Sequence, residues 1–363
     1  MTTAEFKAPT AISFDLLLNG VAIEDSVRST VVGIRADDDF ELPSMVTVEL
    51  AVLENINDET SASIPKLDDD SFPVGDTLEI QLGYVEQLAT VLTAEITGLE
   101  PEFFIHSQPK ILLRGYDRRH RLMRSHKTRT FVEQKDSDIA TLIAQEAQLS
   151  PQVEDSAITH PYLAQVNQTD LAFLQSRAKA IGYEVRVEDR DLIFRPLAYE
   201  ESATVTLNFN NGLLEFCPRL TTLGQVSEVQ VQGWNPAEKA PWVGQSRAGD
   251  EGGTMGGDIT GSSFVEKAFG ASIDHTIRQG AMTQAEIDRI AQAYLKQCAL
   301  GFISGEGICR GNPAIRAGTV LAIEGVGERF SGDYYVTSAS HRYNTQGYYT
   351  HFEVKRNASK AGS

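Results

Sequence analysis

The sequence predicts a mainly β protein with an α+β insertion: two copies of one antiparallel β-barrel, separated by a small α+β domain. Three observations predict it. Period-2 alternation dominates both ends of the chain, helical periodicity is confined to the middle and one later stretch, and a glycine-led strand motif occurs twice. At 363 residues the chain exceeds one ordinary core and divides into two or three domains.

The first module, residues 1–113, reads as strands. Phe14 to Leu18 runs into Asn19-Gly20, the dipeptide a type I′ turn favours because both central residues take positive φ. Val46, Val48, Leu50 and Val52 fall on one face of a strand, and Leu78, Ile80 and Leu82 alternate with Thr77, Glu79 and Gln81, as in a half-buried antiparallel sheet. The acidic stretch Asn55 to Asp70 is expected to be a long loop.

The α+β domain, residues 114–200, opens after Leu113. Asp136 or Ser137 is placed to cap a helix carrying Ile139, Leu142, Ile143 and Ala147. A second helix runs from about Thr169, with Leu171, Leu174, Ala178 and Ile181 on one stripe and Gly182 as its stop. Tyr183 to Val187 and Leu192 to Arg195 then form a hairpin.

The second barrel, residues 201–357, carries two insertions, and a short tail (358–363) follows. Residues 235–263, with seven glycines between Gly244 and Gly261, have the composition of a mobile loop. Residues 283–300 are a helix: Thr283 and Glu286 make a capping box, and Ile287, Ile290, Ala291, Tyr294, Leu295 and Cys298 form its apolar stripe.

The repeat carries most weight. Phe72-Pro73-Val74-Gly75-Asp76-Thr77-Leu78-Glu79-Ile80 aligns with Ile315-Arg316-Ala317-Gly318-Thr319-Val320-Leu321-Ala322-Ile323. Two strand-like runs follow each copy: Val91 to Leu99 and Lys110 to Arg114, then Asp333 to His341 and Tyr348 to Lys355. Three such chains around a cyclic axis would present six similar modules, so a threefold object could meet a sixfold one.

The net charge is −18, with 21 acids and 5 bases in residues 1–110. Arg114, Arg118, Arg119, Arg121, Arg124, Lys127 and Arg129 then cluster around a single acid, Asp117. An acidic chain repels nucleic acid at long range, and Tyr116 is the only aromatic in the cluster for base stacking. The cluster is therefore expected to dock on an acidic neighbour, another subunit or the chain's own first module. No apolar stretch approaches the roughly 18 residues of a membrane span, and the N-terminus lacks the pattern of a signal peptide. Cys217, Cys298 and Cys309 are widely spaced and fit neither a disulfide framework nor a zinc site; Cys298 is expected to pack as a small hydrophobe.

Gly305-Glu306-Gly307-Ile308-Cys309-Arg310-Gly311-Asn312-Pro313 through Val320, with Glu324-Gly325-Val326-Gly327 to Thr337 and His341-Arg342-Tyr343, resembles the phage late control gene D family. That family is related to the N-terminal hub part of VgrG proteins and to hubs of contractile injection systems. Leu112 to Leu122 resembles the join after the family's first barrel, and Gln168 to Leu174 with Ile181-Gly182-Tyr183 its middle domain. The likeness spans about residues 10–357. It implies a structural baseplate hub, not an enzyme: a homotrimeric ring of tube-protein-like barrels between an Hcp-like inner tube and a central spike, beside baseplate wedge proteins. VgrG chains continue into a needle where this one stops soon after Arg356, so a separate spike protein (VgrG C-terminal or PAAR-like) is expected. It also implies synthesis and assembly in the cytoplasm into a tail-like particle, with no nucleic-acid recognition and no membrane insertion. Glycines 305 to 311 are expected to allow positive φ and close backbone approach, and the acidic first barrel an acidic lumen.

No catalytic, cofactor or metal residue is assigned. Gly305-x-Gly307-x-x-x-Gly311 and Gly325-x-Gly327 fall short of GxGxxG, and GxSxG, HExxH and CxxC are absent. His341 and His351, in neighbouring strands, are read as packed or exposed rather than as a metal pair. Glu306 with Glu324 or Glu328 is the one carboxylate pair available for peptidoglycan hydrolysis. A cell-wall hydrolase and a monomeric binding module or adhesin are the alternatives.

Overall fold

A computed structural model describes residues 11–52, 71–105, 109–209, 211–235, 238–277 and 283–360; the acidic stretch expected to form a loop, Asn55 to Asp70, lies outside them. The first module comprises β1 (Ile12–Leu18), β2 (Val21–Ala22), a single turn α1 (Asp25–Arg28), β3 (Val31–Asp39), β4 (Met45–Ala51), β5 (Thr77–Tyr84), β6 (Gln87–Glu102) and β7 (Lys110–Tyr116). Asn19 and Gly20 have φ of 51° and 83° and join β1 to β2 by the expected turn. Leu78, Ile80, Leu82, Val46, Val48 and Leu50 are fully buried; alternation has put these six side chains into one core.

A 3₁₀ turn (Arg118–Met123) leads into β8 (His126–Lys135), α2 (Asp136–Glu146), β9 (Ser150–Val153), β10 (Thr159–Thr169), α3 (Asp170–Ile181), β11 (Tyr183–Glu188) and β12 (Asp191–Pro196). Thr169 Oγ1 accepts the Ala172 N–H at the start of α3, and Gly182 ends it in the left-handed conformation, as Gly does at no Cβ cost.

The chain continues through β13 (Val205–Asn208), β14 (Leu213–Leu220), β15 (Glu228–Asn235), β16 (Ala240–Arg247), β17 (Ile259–Thr260), α4 (Gly261–Phe269), β18 (Ile273–Ile277), α5 (Gln284–Leu300), β19 (Ile303–Arg310), β20 (Val320–Glu324), β21 (Gly332–Asn344), β22 (Gly347–Arg356) and β23 (Ala358–Ser359). Thr283 caps α5, accepting from Glu286 N at 3.2 Å.

The described residues of 235–263, expected from composition to be a mobile loop, are largely regular structure. They contain β16, β17 and the start of α4, and several of their glycines permit close contact. A Cβ on Gly244 would stand 2.7 Å from the Ile287 backbone, and one on Gly257 would stand 2.8 Å from Ala358 and Ser359. Gly244 thus lets α5 lie against the β15–β16–β18 sheet, where Val229, Val231, Ile287, Ala291 and Leu295 form a core of their own.

The two barrel modules repeat strand for strand. In the first, neighbours across the sheet run β1-β5-β6-β7-β4-β3; in the second they run β13-β20-β21-β22-β19-β14. The match extends to single hydrogen bonds. Gly75 N donates to Ile96 O at 2.8 Å and Ile96 N to Asp76 O; Gly318 N donates to Val336 O at 2.8 Å and Val336 N to Thr319 O. Bulges also coincide, at Ile96/Gly98 and Val336/Ser338, and at Val31/Gly33 and Leu213/Glu215. One element departs: β1 is antiparallel to β5, whereas β13 is parallel to β20.

The modules are spliced into one sheet. The first half of β21 pairs with β20, and its second half, Ser338 to Tyr343, pairs with Asp39 to Ile34 of β3. Eight strands therefore lie side by side in the order β14-β19-β22-β21-β3-β4-β7-β6.

Candidate functional site

The joint between the modules gathers one set of the chain's buried charges. Asp117 caps the 3₁₀ turn and orients Arg119, whose Nε–H it accepts at 2.8 Å. Arg119 also donates to Asp39 O and Ser44 Oγ. Ser44 Oγ donates to Asp38 Oδ1, and Asp38 Oδ2 accepts from Arg316 Nε and Ala317 N. The path thus crosses from the first module's sheet, through the join, to the motif preceding β20. Burial would raise the Asp38 pKa, but Arg316, Arg186 and Arg119 outweigh it and hold the carboxyl at about 2.

A second cluster centres on Glu95 of β6. Its carboxylate pairs with Arg118, His120 and Arg121, and Arg118 also reaches Thr77 Oγ1 and Asp189 of the middle domain. Desolvation opposes ionisation of Glu95, yet bonds from Arg121 and His120 bring it to about 2. Three more bases of the segment are spent similarly, Arg114 on Glu100, and Lys127 and Arg129 on Glu146 and Asp170, while Arg124 is exposed. Of the three docking surfaces expected for the cluster, the chain's own acids, in the first module and the middle domain, receive these side chains.

A third network ties the middle domain to α5. His160 lies between Asp136 at 3.1 Å and Glu286 at 3.4 Å, with Arg177 on both acids. Desolvation would lower the His160 pKa, but the two carboxylates raise it to about 9.

The glycines of β19 do not take positive φ. They are extended and covered by aromatic rings: a Cβ on Gly305 would stand 2.8 Å from Phe216, and one on Gly307 would overlap Phe352. Close approach, the other half of the expectation, is what they supply.

His341 and His351 point to opposite faces of the sheet. His341 is buried, its Nδ1 2.8 Å from Tyr348 Oη and its Nε2 3.0 Å from Ile315 O, and burial lowers its pKa to about 4. Glu306 lies opposite Glu353 and Cys217 on the exposed sheet face, while Glu324 ends β20 beside Asn208. Among the described residues no cluster of His, Cys, Asp or Glu is arranged to hold a metal ion, and no helix is long and apolar enough to cross a membrane. Cys309 is buried, which pushes its thiol up to about 12; Cys298 is partly buried, and Cys217 is exposed.

The exposed face of the eight-stranded sheet is polar and mixed in sign. Arg35 pairs with Asp37 at 2.8 Å, Arg114 with Glu100 at 2.8 Å, and Lys110 with Glu49. Arg342 and His351 share a concave stretch with Glu215, Glu306 and Glu353.

No curated protein matches the sequence. Solved structures share its fold. The prophage MuSo2 43 kDa tail protein from Shewanella oneidensis superposes with a TM-score of 0.69 at 12% identity, over 95% of this chain and 98% of that one. A tail protein from Neisseria meningitidis gives 0.67 at 12% identity, over 95% and 97%. A type VI secretion system component of E. coli, itself similar to T4 bacteriophage tail proteins, gives 0.58 at 12% identity, over 96% and 79%. In sequence, residues 8–345 match the model of the Alg8 N-terminal domain family, and the chain belongs to that family.

Proposed function

We propose that this chain is the structural hub of a contractile, phage-tail-like injection machine, a homotrimer that adapts a sixfold inner tube to a threefold central spike. The observation that carries the reading is the strand-for-strand duplication within one continuous sheet. Three copies around an axis present six equivalent modules, the count a sixfold ring requires. The fold shared with phage tail and type VI secretion proteins supports the same reading. The chain divides near residues 113 and 200, so that two barrels flank the α+β domain. Its partners are further copies of itself, an Hcp-like tube protein, a spike protein and baseplate wedge proteins.

In such a ring the exposed face of the eight-stranded sheet lines the lumen. That face interleaves Asp37, Glu49, Glu100, Glu306 and Glu353 with Arg35, Lys110, Arg114, Arg342 and Lys355, which supports a mixed-charge wall in place of the acidic one expected from composition.

The test is mass determination by light scattering, then mixing with candidate tube and spike proteins. A species of three times 39.8 kDa that binds both is expected. A 39.8 kDa species that binds neither overturns the proposal.

A further inference from the structure

Residues 249–260 close over the segment in which β22 ends and β23 begins. Arg356, Asn357, Ala358 and Ser359 are all buried. Arg356 Nε donates to Met255 O at 3.1 Å, and its Nη1 donates to Ser331 O at 2.9 Å. Asn357 Nδ2 donates to Gly253 O at 2.6 Å. Main-chain bonds run from Asp258 N to Ser359 O and from Gly261 N to Asn357 O, where β17 pairs with β23. The missing side chain of Gly257 is what permits so close an approach.

The same strap holds other parts of the chain. Tyr199 Oη donates to Glu251 O at 3.0 Å, and Gly253 N donates to Glu200 Oε1 at 3.1 Å, which fastens the strap to the link that follows β12. Met255 is buried with Tyr199, Leu300 and Tyr335, and Phe40 and Leu197 pack against that cluster. Phe40 follows β3 directly, and its ring meets that of Tyr335 in β21 edge-on at 5.9 Å. Met255 therefore belongs to the cluster at one end of the β3–β21 splice. Its φ is 44°, a left-handed conformation that a side chain makes costly and that persists only where the surroundings impose it. The carbonyl held by Arg356 is Met255's own.

We infer that residues 249–260 are a clasp that couples the segment Arg356–Ser359 to the splice between the modules. Withdrawing the segment frees Met255 and loosens the contact of Phe40 with Tyr335. The closure is narrowly held. Arg356 is a fully buried guanidinium, and its Nη2 finds no acceptor among the described residues; a buried charge left partly unbonded is costly. Opening returns that group to water and offsets part of the bonds that break. A force or a partner acting on residues 357–360 is thereby felt at the splice, whatever the number of copies in the assembly.

Amide hydrogen exchange on the full chain reads such local opening. Asp258 and Gly261 report on the clasp. Phe40, whose N–H donates to Thr337 O at 3.1 Å, reports on the splice, and Gly75, bonded to Ile96 O, on the body of the first module. Asn357→Ala removes one bond and adds no bulk. It is expected to quicken exchange at Asp258 and Gly261 about five- to tenfold, as for the loss of one buried hydrogen bond, with Phe40 following by a similar factor and Gly75 unchanged. Gly257→Ala, which wedges the strap away from Ala358, should give the same order more strongly. Faster exchange at Asp258 and Gly261 with Phe40 unmoved overturns the coupling. No change at any of these amides, or an equal rise at Gly75, overturns the clasp itself.

Discussion

Arg316 donates its Nε–H to Asp38 Oδ2 at 2.9 Å, joining residues 278 positions apart in the chain and closing the two repeats onto one carboxylate. Each side chain is mostly out of water, so each offsets the desolvation cost of the other's charge. Asp38→Ala leaves Arg316 without its counterion and is expected to cost about 3 kcal/mol, the lower end for breaking a buried pair. Asp38→Ala combined with Arg316→Met is expected to recover much of that loss. Urea unfolding of the three variants is the measurement; additive losses would show that the two residues do not depend on one another.

Stability is expected to fall at both pH extremes, in separable steps. The folded-state pKa values of Asp38 and Glu95, about 2, lie below the ordinary carboxylate values near 4. Their contribution is thus complete above about pH 4 and lost as pH falls toward 2. His341, held neutral to about pH 4, adds a cost that begins earlier, as the unfolded chain starts to take up a proton near 6.5. His160 acts in the opposite direction. Its folded pKa of about 9 makes its contribution full below 6.5 and lost as pH rises through 9. Melting curves of His160→Gln should show a flattened alkaline limb, with a smaller change on the acid limb because Asp136 loses one of the groups that hold its pKa down.

Gly75 and Gly318 have φ of 103° and 79°, so alanine at either strains the backbone by about 1–2 kcal/mol. The surroundings differ: Gly75 opens on empty space, whereas a Cβ on Gly318 overlaps the Arg186 side chain. Gly318→Ala is expected to lose more stability than Gly75→Ala in denaturant titrations. Equal losses would place Arg186 outside the constraint.

Leu78 and Leu321 occupy equivalent places and are 0% and 1% exposed. Aspartate at either buries an unpaired charge and is expected to abolish the cooperative melt and the assembly that depends on it. Wild-type melting of both variants would contradict the equivalence.

The basic segment is expected to bind duplex DNA no better than a surface of balanced charge, because Glu95, Glu100, Glu146 and Asp170 already neutralise it. Fluorescence anisotropy at low and physiological salt checks this. A steep loss of binding with added salt would reveal phosphate contacts.

Local chemistry made much of this fold legible. Leu78-x-Ile80-x-Leu82, the Asn19-Gly20 turn, the Thr169 and Thr283 caps and the paired glycines at 75 and 318 each announce themselves within ten residues. What escaped is what depends on distance. Nothing local in Asp37-Asp38-Asp39 or Ser338-Ala339-Ser340 marks them as partners, since strand pairing leaves no trace on residues about 300 apart. The ion pairs of Arg118, Arg121 and Arg129 were hidden likewise, their carboxylates lying in other elements. Residues 235–263 misled for another reason: glycine composition looks the same whether the backbone is free or pressed against Ile287 and Ala358.

The splice of β3 onto β21 makes the relative pose of the two repeats a property of folding and not of assembly. A ring of six separate modules must form six correct joints between free bodies, each with its own loss of translational freedom. In the proposed ring, modules spliced in pairs would arrive with alternate joints already made, leaving three encounters, and an error in the angle between neighbours within a chain would have to break a continuous backbone ladder.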